Sequence, residues 1–600
     1  MALLQAIAIG LIALILTPGQ LFYFDVTPKV AILLVGTAAL LIRSVWKPSP
    51  PLRLLTIVTL FSLVSLAIST ALSRNPSLSL FGTNWRRFGA VEQAAVLLFA
   101  CAVARNTAAR PDRMRVILRG VALAGIVAAA YGIAQYFGWD PVLPKSAYHI
   151  GDGIWTIVRP PGTLGYTSYF ATWLVMTVFL SLALANMETA TLWRRVAQAA
   201  AVLSFAAMLL NGTRAALLGC LAGAIVWWWT RGFRLGRRVP AGLAIFAIAA
   251  TAFYFSPAGW QLRSRARWFA EDPWGGGRAE LWRDSLSMAE HRLAAGYGPE
   301  VFTAAFPAFE SVRLARQYPD FSYESPHNML LDALVAQGIP GLLAVCALCW
   351  IGFRAGGPLT AALAAGVISQ QFTVFTMPTA LLLFTTVALA AAHGTATVKE
   401  RPERRESYLF VRIAAVLAAL IFVVVAVRLT VADHALERTR RQLDAGRIAD
   451  AAAAFAQYDR WRLPGTSAHL WYSRASVNAA QKVRDPIARL QAMSQYGFAA
   501  LRATETAEEP FNAWYNASQF YAVQNDGPGV ERSLRAAIAA RPNWFKPHWA
   551  LARLFRLENR MEEAGSEAAT AAGLDGGAHP EVMATWEEIR AQRVTSVARK

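Results

Sequence analysis

The sequence predicts an all-α protein in two parts. Residues 1–430 form a polytopic membrane bundle of about twelve to thirteen helical spans, and residues 431–600 form a soluble helical-repeat domain. Three observations carry this. Apolar runs of roughly 17–25 residues recur up to residue 430, each long enough to cross ~30 Å of hydrocarbon as a helix. The 600-residue chain is 55% hydrophobic and 16% charged, with mean hydropathy +0.35, where a soluble chain carries about 25% charged residues. The last segment reverses this pattern, being charged, rich in alanine and free of long apolar runs.

Taken in order, the runs place spans near 2–17, 29–46, 54–72, 88–104, 116–137, 165–186, 196–210, 215–230, 239–256, 328–353, 358–375, 379–393 and 409–430. Met1–Leu16 has no basic stretch ahead of its apolar core and no small-residue cleavage site, so it reads as a retained first span. Orientation follows from Lys and Arg in alternate short loops. These are Arg43, Lys47 and Arg53; Arg105, Arg110, Arg113 and Arg115; Arg194 and Arg195; Arg231, Arg234, Arg237 and Arg238; and Lys399, Arg401, Arg404 and Arg405. Such loops face the cytoplasm. The N-terminus then starts there, and the remaining loops and the whole tail face outward. The formal net charge of +20 sits mostly in these orienting loops, which excludes nucleic acid as the partner it implies. Cys101, Cys220, Cys346 and Cys349 all lie in apolar runs. The Cys346-x-x-Cys349 pair has no second pair near it, so it reads as packing and not as a metal or redox site.

The outward loops hold the residues with chemistry in them. The longest covers 257–327 and carries Trp268, Trp274, Trp282 and many arginines and prolines; a second covers 138–164. Long loops of this kind in compact folds are functional or disordered, and this composition is not that of a disordered segment. Arginines here run against the orienting bias. Arg86 and Arg87 follow Gly82-Thr83-Asn84-Trp85, Arg159 precedes Pro160-Pro161-Gly162-Thr163, Arg214 closes Asn211-Gly212-Thr213, and Arg278 follows three glycines. Each taken alone is readily a headgroup anchor. Together they fit a phosphorylated lipid, because the guanidinium fork matches phosphate oxygens and keeps its charge. His327 lies in Ser325-Pro326-His327-Asn328, where the long loop enters a span whose face Met329/Leu330/Ala333/Leu334 packs inward. The tail repeats at 34 residues: Phe511 and Phe545, Ser518 and Ala552, Tyr521 and Phe555, Ala537 and Ala571. Small and aromatic residues at that period are the tetratricopeptide pattern of paired helices. Residues 433–464 read as an earlier, degenerate copy.

The ordered set of these pieces resembles the O-antigen ligase and polymerase superfamily. It runs Asp25-Val26-Thr27-Pro28-Lys29, Trp85-Arg86-Arg87-x-Gly89, Tyr131-Gly132-x-x-Gln135-Tyr136-Phe137-Gly138, and Arg159 before Gly162-Thr163-Leu164-Gly165. It continues with Gly212-Thr213-Arg214-Ala215, Arg278-x-x-Leu281-Trp282, Gly296-Tyr297-Gly298-Pro299-x-x-Phe302, and His327-Asn328-x-x-Leu331 with Gly338 and Gly341. The resemblance covers most of residues 20–390. Thr213 stands where the family has serine, and Gly165-Tyr166-Thr167-Ser168 where it often has Asn-Pro-Asn. The resemblance implies an inverting glycosyltransferase of the GT-C type. It would take a glycan from an undecaprenyl-diphosphate carrier at the outer face of the bacterial inner membrane, in lipopolysaccharide or other polysaccharide biosynthesis.

By position, the resemblance gives His327 the activation of the acceptor hydroxyl, and Arg214 and Arg278 the diphosphate. Lys29, Arg86, Arg87, Arg159, Glu324 and Asn328 become substrate-binding candidates, and Glu324, three residues from His327, is also an alternative base. The outward loops contain no Asp-x-Asp, so no divalent metal and no other cofactor is expected. The acceptor stays open between lipid A–core, a second lipid-linked glycan and a protein hydroxyl, and the repeat tail could recruit a protein partner. A transporter of lipid-linked glycans is the competing class. It would place ionisable residues inside spans and pair two similar halves, whereas these spans are almost free of charge. A membrane-anchored scaffold working through its tail would leave His327 and the outward arginines without a task. Tetratricopeptide arrays rarely host catalysis, so the tail is expected to be dispensable for chemistry.

Overall fold

The computed structural model describes residues 1–46, 52–150, 157–230, 238–271, 275–394 and 409–597. Lys47, Arg231, Arg234, Arg237, Trp274, Lys399, Arg401, Arg404 and Arg405 lie outside the described residues, as do the side chains of Arg238 and Trp268. Among the described residues the chain forms 26 α-helices. Among the described residues its strands are one antiparallel ribbon, in which His149 pairs with Val158 and Ile150 with Ile157.

Each of the thirteen expected spans falls on a helix. Seven are long and apolar enough to cross a membrane: Thr27–Val45, Arg53–Ala71, Pro111–Tyr136, Thr167–Met187, Met329–Arg354, Met377–Gly394 and Leu409–Asp444. The protein is therefore a multi-pass membrane protein. The span expected at 358–375 is corrected. Its helix is Leu359–Ser369 only, ~16 Å at 1.5 Å per residue and too short to cross. Beyond it the Gln370 carbonyl accepts the Met329 N–H (3.0 Å), and Phe372, Thr373, Val374 and Thr376 line a cavity. All four cysteines are free thiols, with Cys349 buried and Cys346 exposed on its span.

The bundle has two unlike ends. At one, Gln5 meets Asn106, Arg113 reaches Asn106 and Arg119 forks onto Glu188 (2.6 and 2.9 Å). These are the short Arg-rich loops. At the other end the loops are long and interlocked. The segment after the Arg278–Glu290 helix docks onto the kink of the Met329–Arg354 helix. There Gly338 has φ 67° and ψ −162°, and Ile339 donates to the Leu293 carbonyl (2.8 Å). Tyr297 and Gly298 donate to the carbonyls of Val335 and Ala336 (2.9 Å each). A Cβ on Gly338 would sit 2.3 Å from the Leu293 carbonyl oxygen, so only glycine admits this junction.

The last span does not stop at the membrane surface. Leu409–Asp444 is one helix of 36 residues, ~54 Å long, packed along Thr27–Trp46 and running on into the tail. Its end pairs with Ile448–Trp461, so the membrane helix itself supplies the first helix of the tail. Neighbouring pairs follow: His469–Lys482 with Pro486–Thr506, Pro510–Val523 with Gly527–Ala540, and Phe545–Leu557 with Met561–Asp575. Phe511, Ala517, Ala537, Phe545, Ala552 and Ala571 are buried where these helices approach.

The tail is fastened to the long loops at this interlocked end. Arg541 and Glu310, both about 2% exposed, pair at 2.7 Å, and Asn543 donates to the Glu310 carbonyl (2.7 Å). Arg316 donates to the carbonyls of Gly573 (2.7 Å) and Leu574 (3.1 Å). Near the bundle, Asn84 bonds to Glu508 and to the Ser467 carbonyl, and Asp433 accepts from the Tyr23 N–H.

Candidate functional site

The interlocked end encloses a cavity of about 1410 Å³ lined by both parts of the chain. Lys29, Arg86, Arg159, Arg214, Arg278, Glu324 and His327 all line it. Arg87 and Asn328 do not. Arg87 is 5% exposed, bends back at φ 44° and donates to Asn84 Oδ1. Asn328 caps a helix, its Oδ1 accepting from Leu330 N and Leu331 N (3.1 and 3.0 Å). Asparagine at an N-cap satisfies helix donors that would otherwise be orphaned, so in this structure its side chain orders the helix and leaves His327 one residue outside it.

Arg214 and Arg278 are each the first residue of a helix. The helix ending at Asn211 closes on Gly212 in the left-handed conformation, and a new one opens at Arg214. Asn211 Nδ2 donates to the carbonyls of Pro160 (2.9 Å) and Thr167 (3.2 Å), tying the Arg159 loop to this turn. Gly275 and Gly276, at φ 77° and 75°, lead into the helix opening at Arg278, whose Nη1 donates to the Gly275 carbonyl (3.1 Å). A Cβ on Gly275 would stand 2.1 Å from Arg278 Nη1 and 3.9 Å from Arg214 Nη1, so the two guanidiniums flank one point. Each of these arginines also opens a helix, whose N-terminus carries a partial positive charge that attracts anions.

Arg265 joins them, donating to the Gly212 carbonyl (3.2 Å), and the Phe269 ring lies under both Arg214 (4.4 Å) and Arg265 (4.7 Å). Burial, and then the charges of Arg159 and Arg214, push Arg265 down to about 8. A guanidinium holds its proton under such pressure, so the cluster gains most from an anion that spreads charge over several oxygens. Arg265 was missed in the sequence, where Arg263, Arg265 and Arg267 alternate with nothing to single out the middle one.

Arg86 is held differently. Its Nη1 pairs with Glu300 (3.2 Å), its Nη2 with Asp332, and its Nε donates to the Phe375 carbonyl (3.0 Å). Burial opposes its charge, but Asp332 and Glu300 outweigh burial and hold it above the ordinary range. Glu300 also accepts from Thr83 N (3.0 Å) and Thr83 Oγ1 (2.7 Å). Glu300 and Asp332 lie beside the motifs of the sequence, and their task shows only in the fold. Lys29 is 1% exposed and donates to the Thr163 carbonyl, anchoring the Gly162–Gly165 turn.

His327 sits between the two arginine groups, in the left-handed region at φ 54°. A non-glycine residue stores strain there, of order 1–3 kcal/mol, and such strain gathers at functional sites. Ser325 Oγ accepts the His327 N–H (3.1 Å), and the Pro326 carbonyl accepts from Trp282 Nε1 (3.0 Å), which fixes the turn. His327 Nε2 lies 4.0 Å from Glu324 Oε1, which accepts from the Tyr169 hydroxyl (3.3 Å). Burial first, then the charges of Arg278 and Arg86, lower His327 to about 4 against a weaker opposing pull from Asp332. Burial raises Glu324, opposed by Arg86 and the Tyr169 hydroxyl. A neutral imidazole beside a carboxylate, at the edge of a basic cavity, can take a proton from a hydroxyl.

Residues 199–346 match the O-antigen ligase family. The match takes in Arg214, Arg265, Arg278, Glu324 and His327, which is most of the chemistry just described, and it supports the O-antigen ligase superfamily. No curated protein matches the chain. The family and the seven spans together indicate an O-antigen ligase or polymerase type of membrane glycosyltransferase. The tail lies outside the matched segment, yet Trp471, Arg474, Asn478, Glu508, Glu509 and Asn512 wall the same cavity.

Proposed function

We propose that the protein transfers a glycan from an undecaprenyl-diphosphate carrier to an acceptor hydroxyl, with inversion and without a metal. The site and the tail would stand on the periplasmic side of a bacterial inner membrane. The observation that carries this reading is the convergence of Arg214, Arg265 and Arg278 at two helix N-termini, with His327 beside them. The arginines bind the diphosphate through its oxygens and stabilise the charge that grows on it as the bond to the anomeric carbon breaks. His327, neutral because Arg278 and burial disfavour its protonation, accepts the acceptor proton as the acceptor oxygen closes on that carbon from the opposite face. The diphosphate leaves with the electron pair, and the proton passes from His327 to bulk water. Glu324 at 4.0 Å steadies the imidazolium formed in between.

The tail, as a tetratricopeptide-like array, would serve the same reaction by closing the cavity. The tail supplies one wall of the cavity, and whether a chain ending near Arg438 still turns over reads its part in the chemistry. A strain deleted for the protein should lose one surface glycan and accumulate the corresponding lipid-linked intermediate. Loss of a glycan with its carrier trapped on the cytoplasmic leaflet would indicate transport instead and overturn the reading.

A further inference from the structure

The cavity wall supplied by the tail has a chemistry of its own. Trp471, Arg474, Ala475 and Asn478 of the His469–Lys482 helix follow the i, i+3, i+4, i+7 spacing of one helix face, and all four line the cavity. Arg474 and Asn478 are exposed on it. Opposite stand Trp85, 71% exposed, and the Phe22–Tyr23 turn. The Phe22 ring packs edge-on against Trp471 (4.7 Å) and Tyr23 against Trp85 (6.4 Å). Asn512 and Glu509 of the next tail helix complete the lining. Indole faces next to amides, a guanidinium and a carboxylate suit a pyranose ring. Its C–H face lies on the aromatic plane, and its hydroxyls both donate and accept.

The position of this wall relative to His327 separates two occupants. The turn that carries His327 is held to the Arg278–Glu290 helix by Trp282 Nε1 on the Pro326 carbonyl (3.0 Å), and the helix that follows it is held to Arg86, the chain neighbour of Trp85, through Asp332. Glu324, the partner of His327, feels Glu509 of the tail. The tryptophan wall and the arginine cluster thus reach the His327 turn through different elements, the wall through the Trp85–Arg86 loop and the cluster through the Arg278–Glu290 helix. A diphosphate occupies the arginine side, so the wall faces the group that loses its proton.

We propose that Trp471, Arg474, Asn478 and Asn512, with Trp85, form a sugar-binding subsite that holds the pyranose rings of the acceptor, making the tail the acceptor-specificity element of the enzyme. The inference rests on the transferase reading above. It is tested with the full chain in lipid nanodiscs, using the host's own lipid-linked glycan as donor. The acceptor probe is an oligosaccharide released from the host's surface glycan by mild acid. Trp471→Ala and Arg474→Ala should each raise the KM for the oligosaccharide about tenfold, as loss of an interface anchor does. The donor KM and the kcat at saturating acceptor should hold, and Trp471→Phe should recover much of the loss. Binding of the oligosaccharide measured calorimetrically without donor should weaken in parallel. This arm keeps its meaning even if His327 proves dispensable, so failure of the transferase mechanism and failure of the subsite are read separately. A rise in donor KM with acceptor KM unchanged would assign the wall to the donor glycan and overturn the proposal. So would a fall in kcat alone, or transfer to a peptide hydroxyl in preference to any sugar.

Discussion

Arg86 and the Arg214–Arg265–Arg278 group line one cavity, yet the fold gives them opposite surroundings. Arg86 is enclosed by Glu300, Asp332 and the Phe375 carbonyl, and the two acids raise its hold on the proton against its burial. Arg214 and Arg265 share an aromatic face, and Arg265 is pressed by like charge. The lesson is that an arginine at the loop end of such a bundle has two uses. Enclosed by carboxylates it is a rivet between loops and spans. Crowded by other arginines at helix N-termini it is a receptor for an anion. His327 stands where the two uses meet.

The comparison can be broken in several places. The largest effect on rate should come from His327→Ala, with transfer falling roughly 10²–10⁴-fold, the usual worth of general-base catalysis. Donor binding and melting temperature should stay near those of the parent. A stable, fully active variant would remove His327 from the mechanism and bring Glu324 forward.

Next, Arg86→Ala and Arg278→Ala should diverge. Removing one partner of a buried ion pair costs about 3–5 kcal/mol, so Arg86→Ala should lower the melting temperature before any effect on chemistry is read. Arg278→Ala should melt normally and lose donor affinity and rate together, and lysine should restore it poorly because it lacks the fork. Equal melting losses for both variants, measured by thermal scan in detergent, would erase the distinction.

A smaller effect lies in the pH dependence. With His327 lowered to about 4, the neutral base persists well below pH 6, and the acidic limb of kcat/KM should fall near pH 4–5. In stability the sign is fixed. Between about pH 4 and the ordinary histidine value near 6.5 the unfolded chain binds more protons, so stability rises with pH through that window and is lost as pH falls. A rate limb at about 6.5 would mean that neither burial nor the charges of Arg278 and Arg86 bear on the imidazole.

The mildest change should be Glu508→Gln. Burial first, with the charges of Glu300 and Glu509 adding to it, raises Glu508 to about 8, opposed by the Asn84 N–H and Arg87. The folded state then binds more protons than the unfolded one between about 4.5 and 8, so this contribution is lost as pH rises. Glutamine should flatten that slope and change activity at pH 7 little. An unchanged slope in pH-dependent melting would place the titration elsewhere.

Much of the site was legible because its residues carry visible exceptions to local rules. Arg159, Arg214 and Arg278 are cations in outward loops, and His327 interrupts an apolar approach to a span. The residues that passed unnoticed carry no such mark. Arg265 is one of three alternating arginines, Glu300 and Asp332 are ordinary acids, and Tyr169 lies within an apolar span. Each gained its task from a neighbour more than fifty positions away in the chain, as with Arg265 on Gly212, Tyr169 on Glu324 and Glu300 on Thr83. Asn328 illustrates the converse. Its place in a motif suggested a ligand, but a polar residue one position before a helix is also a cap, and the geometry of the first turn decided for the cap.

The sequence alone determined the helices and where they lie, because apolar length sets the number of hydrocarbon-sized segments, and charged loops separate them. It also determined which residue types were available for phosphate and proton chemistry. Tertiary structure decided the rest. It shortened Leu359–Ser369 so that residues 372–376 could join the cavity. It ran the last span straight into the tail, and it brought that tail down over the site through Arg541, Asn543 and Glu508. These outcomes rest on hydrogen bonds and ion pairs between segments hundreds of residues apart. Hydropathy is a property of a window along the chain, and carries no record of which windows will meet.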